Sequence, residues 1–146
     1  MNQSLKTLDL SYNGVTDTGA IALARALEQN KSLEELNLGG NGTGESGGTA
    51  LADALRVNQS LKTLNFRDNN VTDTGATALA RALERNKSLE DLNLRNNKIS
   101  ADGVLVLAGA LILNQNLKLD LSNNGVSDEC VCTGRSFTSE PKPSEA

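Results

Sequence analysis

Leucines recur every 28 residues along this chain, at Leu5, Leu33, Leu61, Leu89 and Leu117. That period constrains the fold more than any other feature, because self-similarity at a fixed interval of this size specifies a stack of like units. Each leucine opens the same phrase. The first copy reads Leu5-Lys-Thr-Leu8-Asp-Leu10-Ser-Tyr-Asn13, and later copies place Leu36, Leu38 and Asn41, then Leu64, Phe66 and Asn69, then Leu92, Leu94 and Asn97. A fifth, Leu117-Lys-Leu119-Asp-Leu121-Ser-Asn-Asn124, is one residue short before Leu119. Within the phrase apolar residues alternate, so Leu8 and Leu10 face inward while Thr7, Asp9 and Ser11 face out, as in a short strand. Ala20, Leu23, Ala24 and Leu27 then follow at helical spacing, with Leu51 and Leu55, Leu79 and Leu83, Leu107 and Leu111 in later copies. One strand–helix unit cannot bury its own apolar side, whereas stacked units bury a continuous core. The strands should therefore lie parallel about 4.8 Å apart on a concave face, with helices on the convex face.

Five copies of L-x-x-L-x-L-x-x-N in register resemble leucine-rich repeats of the ribonuclease-inhibitor type, over roughly residues 1–128. The resemblance implies an α/β fold, a right-handed curved solenoid in which Asn13 and its equivalents bond the backbone of neighbouring turns as a ladder. Thr16 and Asp17 suit a helix start. The phrases Asn-x-Ser-Leu-x-x-Leu-Asn-Leu and Val71-Thr-Asp-Thr-Gly-Ala76 resemble the C-terminal repeats of NOD-like receptors and their repeat-only relatives. That resemblance implies recognition of a protein or microbial component in innate immunity. The alternatives are a protein inhibitor or regulator of an enzyme, as the ribonuclease-inhibitor likeness implies, and an assembly or actin-pole scaffold.

Composition narrows the chemistry. The chain has no His, which removes the usual general base at neutral pH and the commonest metal ligand. A net charge of −4 argues against a nucleic-acid partner and against a polybasic membrane anchor. No apolar run approaches a bilayer-spanning length, and the N-terminus lacks the layout of a secretory signal, so a cytoplasmic protein is expected. Cys130 and Cys132, two apart, suffice for neither a disulfide framework nor a zinc site. No cofactor or metal is expected.

Three patterns mimic sites. Gly42-Thr-Gly44-Glu-Ser-Gly47 matches a phosphate-binding glycine loop, but it occupies the ordinary strand-to-helix turn of the second copy and carries Glu45. Gly44-Glu-Ser46-Gly-Gly48 matches a nucleophile elbow with no His to take the serine proton. Asp120-Leu-Ser122-Asn-Asn124-Gly125 faintly suggests a calcium loop, with Val131 where the bidentate Glu should stand. A non-enzymatic binding module is the reading these leave. Six N-x-S/T sequons, at Asn2, Asn30, Asn41, Asn58, Asn70 and Asn86, repeat the phrase itself.

The outward strand positions form columns on the concave face: Thr7, Glu35, Thr63 and Asp91; Asp9, Asn37, Asn65, Asn93 and Asp120; Ser11, Gly39, Arg67, Arg95 and Ser122; and Tyr12, Gly40, Asp68, Asn96 and Asn123. A partner is expected on Asp9, Tyr12, Glu35, Asn37, Arg67, Asp68, Asp91, Asn93, Arg95 and Asn96, with the two arginines as anchors. On the fourth helix, Leu105, Ile112 and Leu113 replace Ile21/Thr77, Glu28/Glu84 and Gln29/Arg85, a charged face turned apolar that suits self-association. The alternative is that the C-terminal tail covers it. Neither end carries an obvious cap, so the chain reads either as part of a longer receptor or as a repeat-only protein that hides its ends, with a homodimer favoured. Residues 129–146 are polar and Pro-containing, and disorder is expected there.

Overall fold

A computed structural model describes residues 2–125. The expected tail, with Cys130, Val131 and Cys132, lies outside the described residues. Five strands and four helices alternate: β1 (Thr7–Asp9), α1 (Asp17–Gln29), β2 (Glu35–Asn37), α2 (Glu45–Val57), β3 (Thr63–Asn65), α3 (Asp73–Arg85), β4 (Asp91–Asn93), α4 (Ala101–Leu113) and β5 (Lys118–Asp120). The strands form one parallel sheet in the order β1-β2-β3-β4-β5. Sequential order with parallel pairing is what a stack of right-handed β–α units produces. Strands sit about 4.8 Å apart and helices need about 10 Å, so the solenoid curves with the sheet on its concave side.

Strand pairing sets leucines side by side, Leu8 opposite Leu36, Leu36 opposite Leu64, Leu64 opposite Leu92 and Leu92 opposite Leu119. From β2 onward these leucines are buried with Leu38, Phe66 and Leu94 against Leu51, Leu55, Leu79, Leu83 and Leu107 from the helices. Burying each such side chain stabilises the fold by roughly 1.5–3 kcal/mol. In β1, Leu8 and Leu10 are only half-buried, and Leu5 is exposed. Among the described residues β1 pairs with β2 alone. Ala24, Ala52 and Ala80 are buried as the small residues between helix and neighbour, while Ala108 of α4 is half-covered.

Asparagine side chains hold the turns. The Nδ2 of Asn69 donates to the Leu38 carbonyl of the preceding turn (2.9 Å) and to Phe66 O (3.2 Å), while its Oδ1 accepts from Thr43 N (3.2 Å). Asn41, Asn97 and Asn124 repeat this arrangement. A second ladder, three of whose members stand in the sequon phrases, runs through Asn30, Asn58, Asn86 and Asn114. The Nδ2 of Asn86 donates to Leu55 O (2.7 Å) and Asn58 O (2.8 Å), and its Oδ1 accepts from Ser88 N and Leu89 N. Short strands leave many loop amides and carbonyls unpaired, and a buried backbone group without a partner is costly. Two amide ladders per repeat answer that need at both ends of each strand.

The missing residue of the fifth copy is absorbed in one turn. Asn30, Asn58 and Asn86 each leave their helix with extended backbone and accept two N–H bonds from the following turn. Asn114 instead takes φ −130° and ψ 77°, and Leu117 N donates to Asn114 O (3.4 Å). The tighter turn restores the register, and Lys118 stands opposite Asp91.

One local expectation is corrected. Thr16, Gly44 and Thr72 precede their helices in near-extended conformations, but none makes a side-chain cap bond. The first helical residue reaches sideways instead. Asp17 Oδ1 accepts from Gly44 N (2.7 Å) and Gly47 N (3.0 Å) at the start of α2. Asp73 accepts from the Ser100 amide (2.7 Å) and hydroxyl at the start of α4, and these bonds, that from the hydroxyl foremost, hold its carboxyl below the usual range. Each repeat so capped is capped by its neighbour.

Candidate functional site

The ten residues expected to meet a partner all lie on the sheet side or its rim, and the structure separates them into three groups. The first is the rim column. Tyr12, Asp68, Asn96 and Asn123 all have φ between 52° and 55°, and Gly40 has 67°. This left-handed region favours Gly, Asn and Asp, which explains Asn96 and Asp68 by backbone need alone. Tyr12 is the exception. A bulky residue at positive φ is uncommon and points to a constraint beyond the turn.

That constraint is visible in the neighbouring repeat. The Tyr12 ring lies over Gly40, where an added Cβ would stand 2.2 Å from Tyr12 Cε1. The phenol passes beyond Gly40 to the third repeat, donates to Asp68 Oδ2 (3.3 Å) and accepts from Arg67 Nη2 (3.2 Å). Arg67 Nε also pairs with Asp68 (3.5 Å), and Asn96 Nδ2 donates to Asp68 Oδ1 (2.7 Å). The stem of Arg67 runs over Gly39, with Cγ 3.1 Å from the position of an added Cβ. Gly39–Gly40 is therefore a notch filled from one side by Tyr12 and from the other by Arg67. The result is a cluster of four bonded residues from the first, third and fourth repeats, passing over the glycines of the second. Tyr12 remains 65% exposed, so its outer face is open to a partner.

The second group is tied locally. Asp9 Oδ1 accepts from Ser11 Oγ (2.6 Å) and N (2.8 Å), and its Oδ2 accepts from Asn37 Nδ2 (3.2 Å). These bonds, the Ser11 hydroxyl's foremost, lower its pKa. Glu35 accepts from Thr7 Oγ1 (3.5 Å). Asn37 and Asn93 each accept the amide two residues on, from Gly39 and Arg95. Asp120 accepts from Ser122 in the same way, so the faint calcium loop is a side-chain turn, and the described residues contain no cluster of metal-ligating groups.

The third group stands unpaired. Among the described residues the Arg95 guanidinium and the Asp91 carboxylate make no hydrogen bond or ion pair. The expected pair of anchors is thus unequal, Arg67 being committed to Tyr12 and Asp68 while Arg95 is free.

Sequence reasoning missed a charge column beside these. Lys6 Nζ and Lys62 Nζ both reach Glu34, at 2.9 and 3.0 Å, and hold its carboxyl down to about 2, Lys6 contributing most. Lys62 is raised in return. The signal was present in the alternation Lys6, Glu34, Lys62, Glu90 immediately after each repeat's opening leucine.

The glycine-loop motif is filled from within. The N-terminus of α2, where a phosphate would sit, holds the Asp17 carboxylate. A Cβ at Gly47 would stand 2.8 Å from Asp17 Oδ1. Gly44 and Gly47 thus admit an internal anion. Ser46 is exposed on the first turn of α2.

On the helix side, Leu105, Ile112 and Leu113 are exposed as expected, Ile112 at 75%, and Val106 joins them. The positions of Ile112 and Leu113 are exposed in every copy, where they hold Glu28, Arg56, Glu84, Gln29, Val57 and Arg85. Their apolar character is therefore not a consequence of α4 being the last described helix. Four sequon amides, those of Asn30, Asn41, Asn58 and Asn86, donate to backbone carbonyls. No helix among the described residues is long and apolar enough to cross a membrane.

Comparison with known proteins follows the same lines. No curated protein matches the chain. A solved structure of leiomodin-1 actin-binding site 2 is similar at 24% identity with a TM-score of 0.74, covering 85% of this chain and 71% of that one. A tropomodulin C-terminal domain from Caenorhabditis elegans is similar at 19% identity with a TM-score of 0.74, covering 88% of this chain and 79% of that one. At these identities the likeness is one of fold. The fold is that of protein-interaction modules, and no enzyme family is indicated. The family model described as Leucine Rich repeat matches residues 2–24, 29–52, 57–80, 85–108 and 113–129. With its matches spread over most of the chain and in step with every strand, this chain belongs to the leucine-rich repeat family.

Proposed function

We infer that the chain is a non-enzymatic recognition module that binds a protein on its concave face, centred on Arg95 and the Tyr12 cluster. One observation carries this reading. Tyr12 adopts a conformation costly for its type, its ring is held over Gly40 by Arg67 and Asp68, and no other described repeat places an aromatic at this position. An aromatic and a free guanidinium on one face are residue types in which binding hot spots are enriched. Arg95, with Asn93 and Asn65 in the adjacent column, offers donors to a carboxylate or carbonyl, while Asp91 offers an acceptor.

The partner is a microbial or host protein component in an innate-immune setting, by the resemblance of the Asn-x-Ser-Leu phrases to NOD-like receptor repeats. The engaged sequon amides support a cytoplasmic site of action. Self-association through Leu105, Ile112 and Leu113 of α4 belongs to the same proposal. A second reading, an actin-assembly scaffold, is favoured by the likeness to a structure described as an actin-binding site.

A photo-crosslinking residue placed at position 95 or 12, against one at position 28 on the helix side, tests the site. Crosslinks to a partner protein are expected from the first two alone, and equal yield from position 28 would move the site off the concave face. Co-sedimentation with actin filaments, alongside pull-down on bacterial surfaces, separates the two readings.

A further inference from the structure

Three Asn-Gly pairs stand at the same position of the repeat, Asn13–Gly14, Asn41–Gly42 and Asn124–Gly125. Asn-Gly is the dipeptide in which the following backbone nitrogen most readily attacks the asparagine side chain, because glycine offers no side chain to obstruct it, and Asn is among the thermolabile residues for this reason. The three pairs are chemically alike, so differences among them come from the fold.

Asn41 is immobilised. Its Nδ2 donates to Leu10 O (3.1 Å) and Leu38 O (2.9 Å), and its Oδ1 accepts from Asn13 N (3.0 Å) and Val15 N (2.9 Å). The amide plane is pinned among backbone groups and cannot turn its Cγ toward Gly42 N. Asn124 is held likewise by Leu94 O and Leu121 O, and the Gly125 N–H is itself engaged with Ile99 O (2.8 Å). Asn13 differs in its bonding. Its side chain is exposed and makes a single bond, Nδ2 to Ser11 O (2.9 Å). Gly14 N donates to nothing among the described residues, and a Cβ on Gly14 would have nothing within 4 Å.

We propose that Asn13 is a site of spontaneous deamidation, and that the ladder protects Asn41 and Asn124 from the same reaction. The deprotonated Gly14 nitrogen attacks Asn13 Cγ, forming the ring C–N bond. The side-chain nitrogen departs as ammonia, taking up a proton, and leaves a succinimide. Water then opens the ring at either carbonyl, giving aspartate or isoaspartate at position 13. The isoaspartate form adds a methylene to the main chain between the Asn13 and Val15 amides that both bond Asn41 Oδ1. It thereby loosens the turn that carries Tyr12.

The test is peptide mapping by mass spectrometry of the whole chain aged in mildly alkaline buffer, with a second sample aged in concentrated urea. Trypsin separates residues 7–25, 32–56 and 119–135, so each pair is read alone. In the folded sample Asn13 should convert at roughly the unfolded rate, and Asn41 and Asn124 roughly tenfold or more slowly, since they react only after local opening. In urea all three should convert at similar rates. Asn13→Gln should abolish conversion in the first peptide and leave the others unchanged. Equal conversion of the three in the folded chain, or an Asn13 protected relative to urea, would overturn the proposal.

Discussion

The phenol of Tyr12 in the first repeat donates to the carboxylate of Asp68 in the third, 3.3 Å away, across a second repeat that holds only Gly40 beneath the ring. Residues 56 positions apart are thereby coupled on a face whose other side chains bond mainly to adjacent repeats. The link explains why repeat two alone carries Gly39–Gly40, and it makes the glycines testable.

Gly40→Ala should destabilise the protein by about 1–3 kcal/mol, combining strain at φ +67° with expulsion of the Tyr12 ring. Gly14→Ala is the control, because it has the same φ and open space around it. Urea denaturation of the two variants should show the larger loss at Gly40. Equal losses would mean that the ring contributes nothing.

Removal of a central ladder amide should be far more damaging than removal of the first. Asn69→Ala leaves the Thr43 N–H and the Leu38 carbonyl without their side-chain partner, at a cost on the order of 3 kcal/mol. Asn13→Ala, which removes an exposed side chain with a single bond, should change stability by less than about 0.5 kcal/mol. Chemical denaturation midpoints measure both.

Glu34 supplies a pH dependence. Its carboxyl is held at about 2 against an ordinary 4.5, so the unfolded chain takes up the proton first as acid is added. The stability contributed by Lys6 and Lys62 is complete above about 4.5 and vanishes as pH falls toward about 2. Both partners are exposed, so the effect should shrink with added salt. Thermal melts of the wild type and Glu34→Gln should converge at low pH and separate above it.

Asp17→Ala should loosen a helix to which Asp17 does not belong. The Gly44 and Gly47 amides lose their acceptor, at a cost of about 1 kcal/mol. Hydrogen exchange should quicken in the first turn of α2 more than in α1.

Arg95→Glu should cost a concave-face partner about 2–4 kcal/mol of binding and leave the fold intact, because its guanidinium makes no internal bond among the described residues. Arg67→Glu should weaken binding as well, but with a loss of stability, since it also releases Tyr12. Ile112→Glu with Leu113→Glu should leave stability near that of the wild type and reduce self-association in sedimentation velocity, because both positions are exposed.

The period of Leu5, Leu33, Leu61, Leu89 and Leu117 contained the fold, including strand register and the helix spacing of Ala24 and Leu27. Its reach extended to the false motifs, since Gly44 and Ser46 align with ordinary turn residues. The second ladder at Asn58 and Asn86 was equally periodic, but its Asn-x-Ser phrase was read as a sequon pattern. Alternation of Lys6, Glu34, Lys62 and Glu90 is equally periodic and becomes meaningful only once those residues stand side by side at the starts of adjacent strands.

The sequence by itself determined which side chains face the core, because a residue's facing depends on spacing along its own strand or helix. It also determined which residues share a column, because stacking converts a 28-residue offset into adjacency. Only the tertiary structure decided which members of a column are free. Arg67 and Arg95 look alike in sequence, yet one is consumed by Tyr12 from two repeats away and the other is not. Likewise Asp17 serves the next helix rather than its own. Such choices turn on the reach of individual side chains across a notch as small as two glycines, a length that no periodicity encodes.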